Sequence, residues 1–278
     1  MLSYHNDLRG NPLPIMNSAL QEKNMKVGIR DGMLGLPFEE VFGKAKEIGF
    51  DGVEICIGAN YREHPLWSES GVDDIKALSE AVGIETPALS PGGFTAYTFA
   101  HPDDATRAEG IAMLQHLSAV CPKLGATVIL VPFFGDGKIE AEHITSPRFI
   151  DGVKAAAVTA EQHNVCLALE STLTADEHQQ ILDQVDSPAV GVYYDMGNAT
   201  GFGYDAAKEI RQLGNAIAQM HIKDTSGSHA GEGGVDFPAV IEATHTIGYD
   251  GWFVLETPAN GDPIASAIKN LNFVRENY

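Results

Sequence analysis

The chain has 278 residues, of which 44% are hydrophobic, enough to fill a sizeable core, and its 18 basic and 38 acidic side chains give a formal net charge of −20. Because so negative a surface repels phosphate backbones and anionic lipids, we expect no nucleic acid and no membrane among its partners. Three scattered cysteines, the absence of a long apolar run and a polar N-terminus without a signal-peptide core predict a cytoplasmic protein with reduced thiols.

Short apolar runs alternate with amphipathic stretches along the chain after Asn24. The predicted strands cover residues 26–30, 52–57, 84–89, 126–132, 165–170, 190–195, 217–222 and 252–256. The predicted helices cover residues 38–48, 72–82, 105–124, 149–163, 175–185, 206–213, 238–247 and 263–274. Four of these helices are followed by a glycine, which ends a helix in the left-handed conformation without a Cβ penalty. These glycines are Gly49, Gly83, Gly125 and Gly248.

This alternation predicts an α/β fold in which parallel strands are joined by crossover helices. Eight repeats favour closure into a barrel, because open doubly wound sheets usually have five or six strands. A (β/α)8 TIM barrel needs about 250 residues, so we expect a single barrel domain over residues 25–278, with residues 1–24 as a short N-terminal extension. No GxGxxG motif follows the first strand, where the sequence reads VGIRDGMLGLP, so the commonest dinucleotide signal is absent.

Four consecutive predicted strands end in side chains that can bind a metal ion. They are Glu170 in VCLALES, Asp195 in VGVYYDMGN, His221 in IAQMHIKD and Glu256 in WFVLETP. Each carboxylate alone can instead cap the next helix or pair with a lysine, and the histidine alone can be a core residue. Because catalytic groups in such barrels lie at the carboxyl ends of the strands, the four together predict one divalent ion such as Mn²⁺, Mg²⁺, Co²⁺ or Zn²⁺.

The order and spacing of these motifs resemble the xylose-isomerase-like barrel superfamily. The branch that it resembles contains sugar-phosphate isomerases and epimerases, including ketose 3-epimerases and L-ribulose/L-xylulose 5-phosphate 3-epimerases. The resemblance extends from Met25 onwards and rests on the segments HPDDATRAEGI, ALEST, YYDMGNA, HIKDT, GEGGVDF and GYDGWFVLET.

The resemblance carries implications for cofactor, substrate and assembly. It implies that the four strand-end side chains bind one Mn²⁺-like or Zn²⁺-like ion, and that Glu170 and Glu256 also form an acid/base pair. It further implies a small sugar or sugar phosphate as substrate and a homo-oligomer, either a dimer or a tetramer.

The acid/base pair has a physical rationale. Removing a proton next to a carbonyl requires that the resulting enediolate be stabilised, and a divalent ion supplies that stabilisation. Two carboxylates on opposite faces can then remove the proton and return it on the other side, which inverts the centre. If one base serves both carbons, the product is an isomer instead. The predicted activity is therefore that of a metal-dependent epimerase or isomerase acting on a ketose or ketose phosphate.

Three further side chains are candidates for substrate binding. Asn198 stands where some relatives place a histidine, although it can also be a turn residue. Lys223 lies two residues after His221 and so faces the same side, where it can hold a substrate oxygen or pair with a ligand carboxylate. Glu54, at the end of the second strand, is either a substrate contact or a structural rim charge. By the resemblance, Gly227 occupies the position of a substrate-binding arginine in free-ketose epimerases, which makes a plain free-ketose epimerase doubtful.

Other activities on the same scaffold remain open. A lyase or dehydratase acting on a keto-sugar or inosose shares the first proton abstraction, and a non-catalytic barrel subunit can bind the metal alone. An abasic-site endonuclease is disfavoured, because it needs a second histidine where Asn198 stands and a DxH motif that GEGGVDF lacks.

Overall fold

A computed structural model describes residues 25–278 as a closed barrel of eight parallel strands in sequential order. The strands are β1 (Val27–Arg30), β2 (Gly52–Cys56), β3 (Ala88–Ser90), β4 (Val128–Phe133), β5 (Cys166–Ser171), β6 (Val190–Asp195), β7 (Ile217–Ile222) and β8 (Phe253–Leu255). The predicted α/β barrel is confirmed. The predicted N-terminal extension, residues 1–24, lies outside the described residues.

Nine α-helices occur in the described part of the chain. They are α1 (Phe38–Ile48), α2 (Glu69–Val82), α3 (Asp104–Leu124), α4 (Pro147–Gln162), α5 (Ala175–Val185), α6 (Met196–Gly201), α7 (Ala206–Leu213), α8 (Phe237–Thr246) and α9 (Pro263–Asn277). Gly49, Gly83 and Gly125 end their helices with φ of 107°, 64° and 75°, as the sequence predicted. In this described region no helix is long and apolar enough to cross a membrane.

Two elements depart most from the prediction. The third strand was expected over residues 84–89, but its regular pairing begins at Ala88, because Glu85 forms only an isolated bridge and Pro87 has no N–H to donate. The short helix α6 was not predicted. Its six residues are too few to show an amphipathic period, so the segment after β6 looked like a turn.

The barrel interior contains a small apolar cluster and a polar layer. Apolar side chains between the strands and the surrounding helices form the larger core. Inside the barrel, five side chains form a separate cluster: Ala88, Val128, Leu130, Ala168 and Tyr193. The carboxylate of Glu54, the amide of Gln219 and the imidazole of His221 are also buried. Because burying polar groups is costly unless they find partners, this polar layer indicates a functional site inside the barrel.

Candidate active site

The four candidate metal ligands converge at the carboxyl ends of strands β5 to β8. Asp195 and His221 are directly paired in the β6–β7 register, and Glu256 follows the last residue of β8. One ligand atom from each of the four residues lies within 4.8 Å of the others. His221 Nδ1 lies 3.3 Å from Glu256 Oε2, 3.6 Å from Glu170 Oε1 and 3.8 Å from Asp195 Oδ2.

This spacing fits a single divalent ion. Ligand atoms about 2.2 Å from a common centre are separated by about 3.1 Å at right angles and about 3.6 Å at the tetrahedral angle. The three distances from the histidine nitrogen fall around these values. Three carboxylates and one imidazole are also the donor types that Mn²⁺ and Zn²⁺ accept. The arrangement is therefore chemically and geometrically suited to a metal ion.

Two buried atoms in this cluster have no hydrogen-bond partner among the described residues: Asp195 Oδ2 and His221 Nδ1. Asp195 uses its other oxygen, Oδ1, to accept the backbone N–H of Asn198 at 2.7 Å and thereby caps α6. Asp195 thus caps a helix, as the sequence suggested as an alternative. Its second oxygen, Oδ2, stays buried and can still bind a metal ion. A cation among the carboxylates would satisfy both unpartnered atoms.

The electrostatics of the cluster also favour a bound cation. Burial raises the pKa of the Asp195 carboxyl, and the neighbouring carboxylate of Glu170 raises it further. Burial lowers the pKa of His221, but the carboxylates of Glu54 and Glu170 outweigh it and bring that pKa to about 9. Crowded carboxylates therefore attract positive charge to this point of the barrel.

Two basic side chains contact Glu256. Arg30, the last residue of β1, contacts Oε1 through Nη1. Lys223 Nζ lies 3.1 Å from Oε2 and 3.8 Å from Asp195 Oδ2. Glu170 differs, since its Oε1 accepts a hydrogen bond from Asn198 Nδ2 at 3.3 Å. The two proposed acid/base carboxylates thus have different neighbours, one cationic and one neutral.

A cavity of about 310 Å³ opens above the cluster, large enough for a small sugar. Its walls are formed by Arg30, Ser90, Gly92, Leu130, Pro132, Phe134, Glu170, Asn198, Phe202, Lys223 and Glu256. Two of the three candidate substrate-binding residues, Asn198 and Lys223, therefore face the space that a ligand would occupy. Glu54 does not: it is completely buried and bonded to His221, so the expected direct contact with substrate is not supported by its position.

Helix α6 places Asn198 at the cavity and requires a glycine before it. A Cβ atom added to Gly197 would lie 2.8 Å from the backbone oxygen and 2.9 Å from the Cβ of Lys223. Because real Cβ atoms do not approach other atoms so closely, only glycine lets α6 pack against the end of β7. The MGN segment thus positions Asn198 and Lys223 on adjacent walls of one cavity.

Sequence reasoning did not identify three polar residues of the site. Arg30 lines the cavity, and Tyr193 and Gln219 lie beneath it. Arg30 could have been identified from the sequence, because it ends a predicted strand and strand ends face the mouth of the barrel. Tyr193 and Gln219 each lie two residues before a candidate ligand, on the same face of their strands. That period of two was the available signal for both.

A family model described as a xylose isomerase-like TIM barrel matches residues 42–277 of the chain. The chain belongs to this family. The resemblance seen in the sequence is therefore confirmed. Among the curated relatives, L-ribulose-5-phosphate 3-epimerase UlaE from Shigella flexneri is 27% identical over 246 residues, which covers 83% of this chain and 86% of the relative.

Solved structures share the fold of this xylose isomerase-like barrel. The apo form of 3-keto-D-glucoside 4-epimerase YcjR from E. coli has a TM-score of 0.75 and 20% identity, covering 91% of this chain and 99% of its own. D-allulose 3-epimerase from Methylomonas sp., in complex with D-allulose, has a TM-score of 0.77 and 18% identity, covering 91% and 97%. At these identities the likeness is one of fold.

Proposed function

We propose that this chain is a metal-dependent epimerase or isomerase that acts on a ketose or ketose phosphate. The observation that carries the proposal is the convergence of Glu170, Asp195, His221 and Glu256 on one point at the base of a sugar-sized cavity. Two of their atoms are buried with no hydrogen-bond partner within residues 25–278, as expected for a site that holds a cation. The two carboxylates assigned to acid/base chemistry, Glu170 and Glu256, both face the cavity.

A divalent ion bound by these side chains would stabilise the negative charge that develops on the substrate when a proton leaves the carbon next to the carbonyl. Glu170 and Glu256 come from strands separated by β6 and β7, so they approach the cavity from different sides. One carboxylate removes the proton and the other delivers a proton to the opposite face of the planar enediolate. This sequence of steps inverts the carbon.

The remaining cavity residues bind and orient the sugar. Lys223 and Asn198 offer hydrogen-bond donors to substrate oxygens, next to Glu256 and Glu170 respectively. The apolar side chains of Leu130, Phe134 and Phe202 line the cavity. They can pack against the C–H groups of the sugar and keep water away from the reacting carbon.

The relatives support this class of reaction. The three named above are epimerases of L-ribulose 5-phosphate, of a 3-keto-D-glucoside and of D-allulose. We infer a 3-epimerase as the preferred form of the activity, because the relative with 27% identity is by name a 3-epimerase. By the family resemblance, Gly227 stands where free-ketose epimerases have a substrate-binding arginine, and this difference favours a ketose phosphate over a free ketose.

Proton NMR in D₂O tests the proposal. The Mn²⁺-loaded protein is incubated with pentuloses, hexuloses and their phosphates, and each product is identified from its spectrum. We expect one substrate to yield an epimer or isomer deuterated at the exchanged carbon. An unsaturated or diketo product would instead identify a dehydratase, and no exchange with any member of the panel would favour a non-catalytic subunit.

A further inference from the structure

Glu54 is a buried carboxylate that the proposed reaction does not use. It lies on β2, its side chain is 0% exposed, and it is not part of the cavity wall. Its Oε1 atom lies 3.2 Å from His221 Nε2 and 3.3 Å from Arg30 Nε. Removing a charged carboxylate from water costs free energy. Interactions with the neighbouring side chains must therefore offset that cost.

The contact with Glu54 determines which nitrogen of His221 is free. An ionised carboxylate only accepts hydrogen bonds, so the bond at 3.2 Å places a proton on Nε2. The other nitrogen, Nδ1, faces Glu170, Asp195 and Glu256 and has no hydrogen-bond partner among the described residues. With a proton held on Nε2, Nδ1 is the nitrogen that can bind a cation among these carboxylates, in place of its own proton.

A chain of hydrogen bonds inside the barrel holds Glu54 in place. Tyr193 donates its hydroxyl to Glu54 Oε2 at 2.6 Å, and Gln219 Nε2 donates to the Tyr193 hydroxyl at 2.9 Å. The Tyr193 ring also packs against the His221 ring, with their centroids 4.3 Å apart. These contacts fix both the carboxylate and the plane of the imidazole. Three strands, β2, β6 and β7, thus contribute to the orientation of one ligand.

We infer that Glu54 is a positioning residue that orients His221 for metal binding, with Tyr193 supporting it. The inference rests on the proposed metal site. In this role Glu54 does not contact the substrate, although the sequence had suggested such a contact. The role also goes beyond that of an ion-pair partner of Arg30. An ion pair alone would affect the stability of the barrel, whereas a positioning residue changes the affinity for the ion in protein that remains folded.

Mn²⁺ titration of the full chain, followed by calorimetry, tests this role in wild type, Glu54→Gln and Tyr193→Phe. The side-chain amide that Glu54→Gln introduces can donate to Nε2 of His221, which favours the tautomer with its proton on Nδ1 and blocks the lone pair. We expect about 10–100-fold weaker Mn²⁺ binding in Glu54→Gln and a smaller loss in Tyr193→Phe, which keeps the ring packing.

Glu209→Gln is the matched control. Glu209 is also a buried glutamate that accepts a tyrosine hydroxyl, from Tyr194 at 3.0 Å, but it lies outside the four-residue cluster. Its variant should bind Mn²⁺ as wild type does. Circular dichroism of the metal-free proteins establishes that each variant is folded.

The outcomes separate this inference from the proposed function. If wild type binds no Mn²⁺, both fail. If wild type binds and folded Glu54→Gln binds equally well, or if Glu209→Gln loses as much affinity, the positioning role alone is overturned. If Glu54→Gln does not fold, Tyr193→Phe decides: weaker binding supports the role and unchanged binding overturns it.

Discussion

Lys223 Nζ lies 3.1 Å from Glu256 Oε2, where the ends of the neighbouring strands β7 and β8 meet at the cavity. The lysine side chain is 28% exposed and also lines the cavity wall, so it contacts a proposed acid/base group on one side and the substrate space on the other. Such a cation can hold Glu256 in its reactive orientation and bind a substrate oxygen at the same time.

Replacing Lys223 should therefore reduce catalysis without emptying the metal site. We expect Lys223→Gln to lower kcat/KM by about tenfold or more, which corresponds to roughly 1.4 kcal/mol of lost transition-state stabilisation. Steady-state kinetics on the substrate identified by NMR measure the effect. Lys269→Gln is the matched control, because Lys269 pairs with Glu232 on the surface at 2.6 Å. Equal kinetics for Lys223→Gln and wild type would remove Lys223 from the site.

If Glu170 and Glu256 form the acid/base pair, replacing either one with glutamine should reduce turnover. Glu170→Gln and Glu256→Gln keep the shape of the side chain but cannot accept a proton, so kcat should fall by about 10²–10⁴-fold. The rate of product formation and the incorporation of deuterium from D₂O are measured together. Wild-type rates of product formation in metal-loaded Glu256→Gln would exclude Glu256 as an acid/base group, because deuterium exchange without inversion can continue through Glu170 alone.

His221→Ala should lower the metal content of the purified protein. The substitution removes the imidazole nitrogen that lies among the three carboxylates, and the remaining like charges repel one another. Bound Mn²⁺ per chain is measured by elemental analysis after dialysis, with His245→Ala as the control because His245 is exposed on α8. A full complement of metal in His221→Ala would show that the ion binds elsewhere.

His178 makes the barrel sensitive to acid. Burial lowers the pKa of His178 from 6.5 to about 4, and its ring nitrogens lie 3.0 Å from Ser171 Oγ and from the Thr174 carbonyl oxygen. Below pH 6.5 the unfolded chain binds a proton here that the folded chain does not. As the pH decreases from 6.5 to 4, the free energy of unfolding should therefore fall by up to about 1.4 kcal/mol per pH unit.

Denaturant unfolding at several pH values measures this contribution. His178→Gln cannot take up a proton, so its stability should depend less steeply on pH over the same interval than that of wild type. Identical slopes for the two proteins would mean that His178 contributes nothing to the acid sensitivity.

We propose that the barrel domain begins at Met25 and needs no part of residues 1–24. Within this region β1 pairs with both β2 and β8, and the Met25 carbonyl oxygen accepts a hydrogen bond from Arg275 at 2.6 Å. A variant that begins at Met25 should therefore keep the Tm and kcat/KM of the full chain. Thermal unfolding and kinetics compare the two, and loss of folding on truncation would assign residues 1–24 to the domain.

Much of the site was predictable because it depends on position along single strands. The sequence places Glu170, Asp195, His221 and Glu256 at the ends of four successive strands, and in a closed barrel such ends meet at one mouth. Lys223 was readable in the same way, from its spacing to His221. These inferences needed only the period of the strand and the order of the elements.

The role of Glu54 could not be predicted in this way. Its hydrogen bond to His221 crosses the barrel interior between β2 and β7, which are not neighbours in the sheet. Such a contact depends on the stagger of the closed barrel, which has no sequence signal. Helix α6 was missed for a different reason, since six residues are too short to show a helical period.

Anomalous diffraction from crystals grown with Mn²⁺ tests the central claim most directly. The account predicts one anomalous peak per chain, about 2.0–2.3 Å from Glu170, Asp195, His221 Nδ1 and Glu256. A peak bound to other residues, or no peak among these four side chains at saturating Mn²⁺, would contradict it.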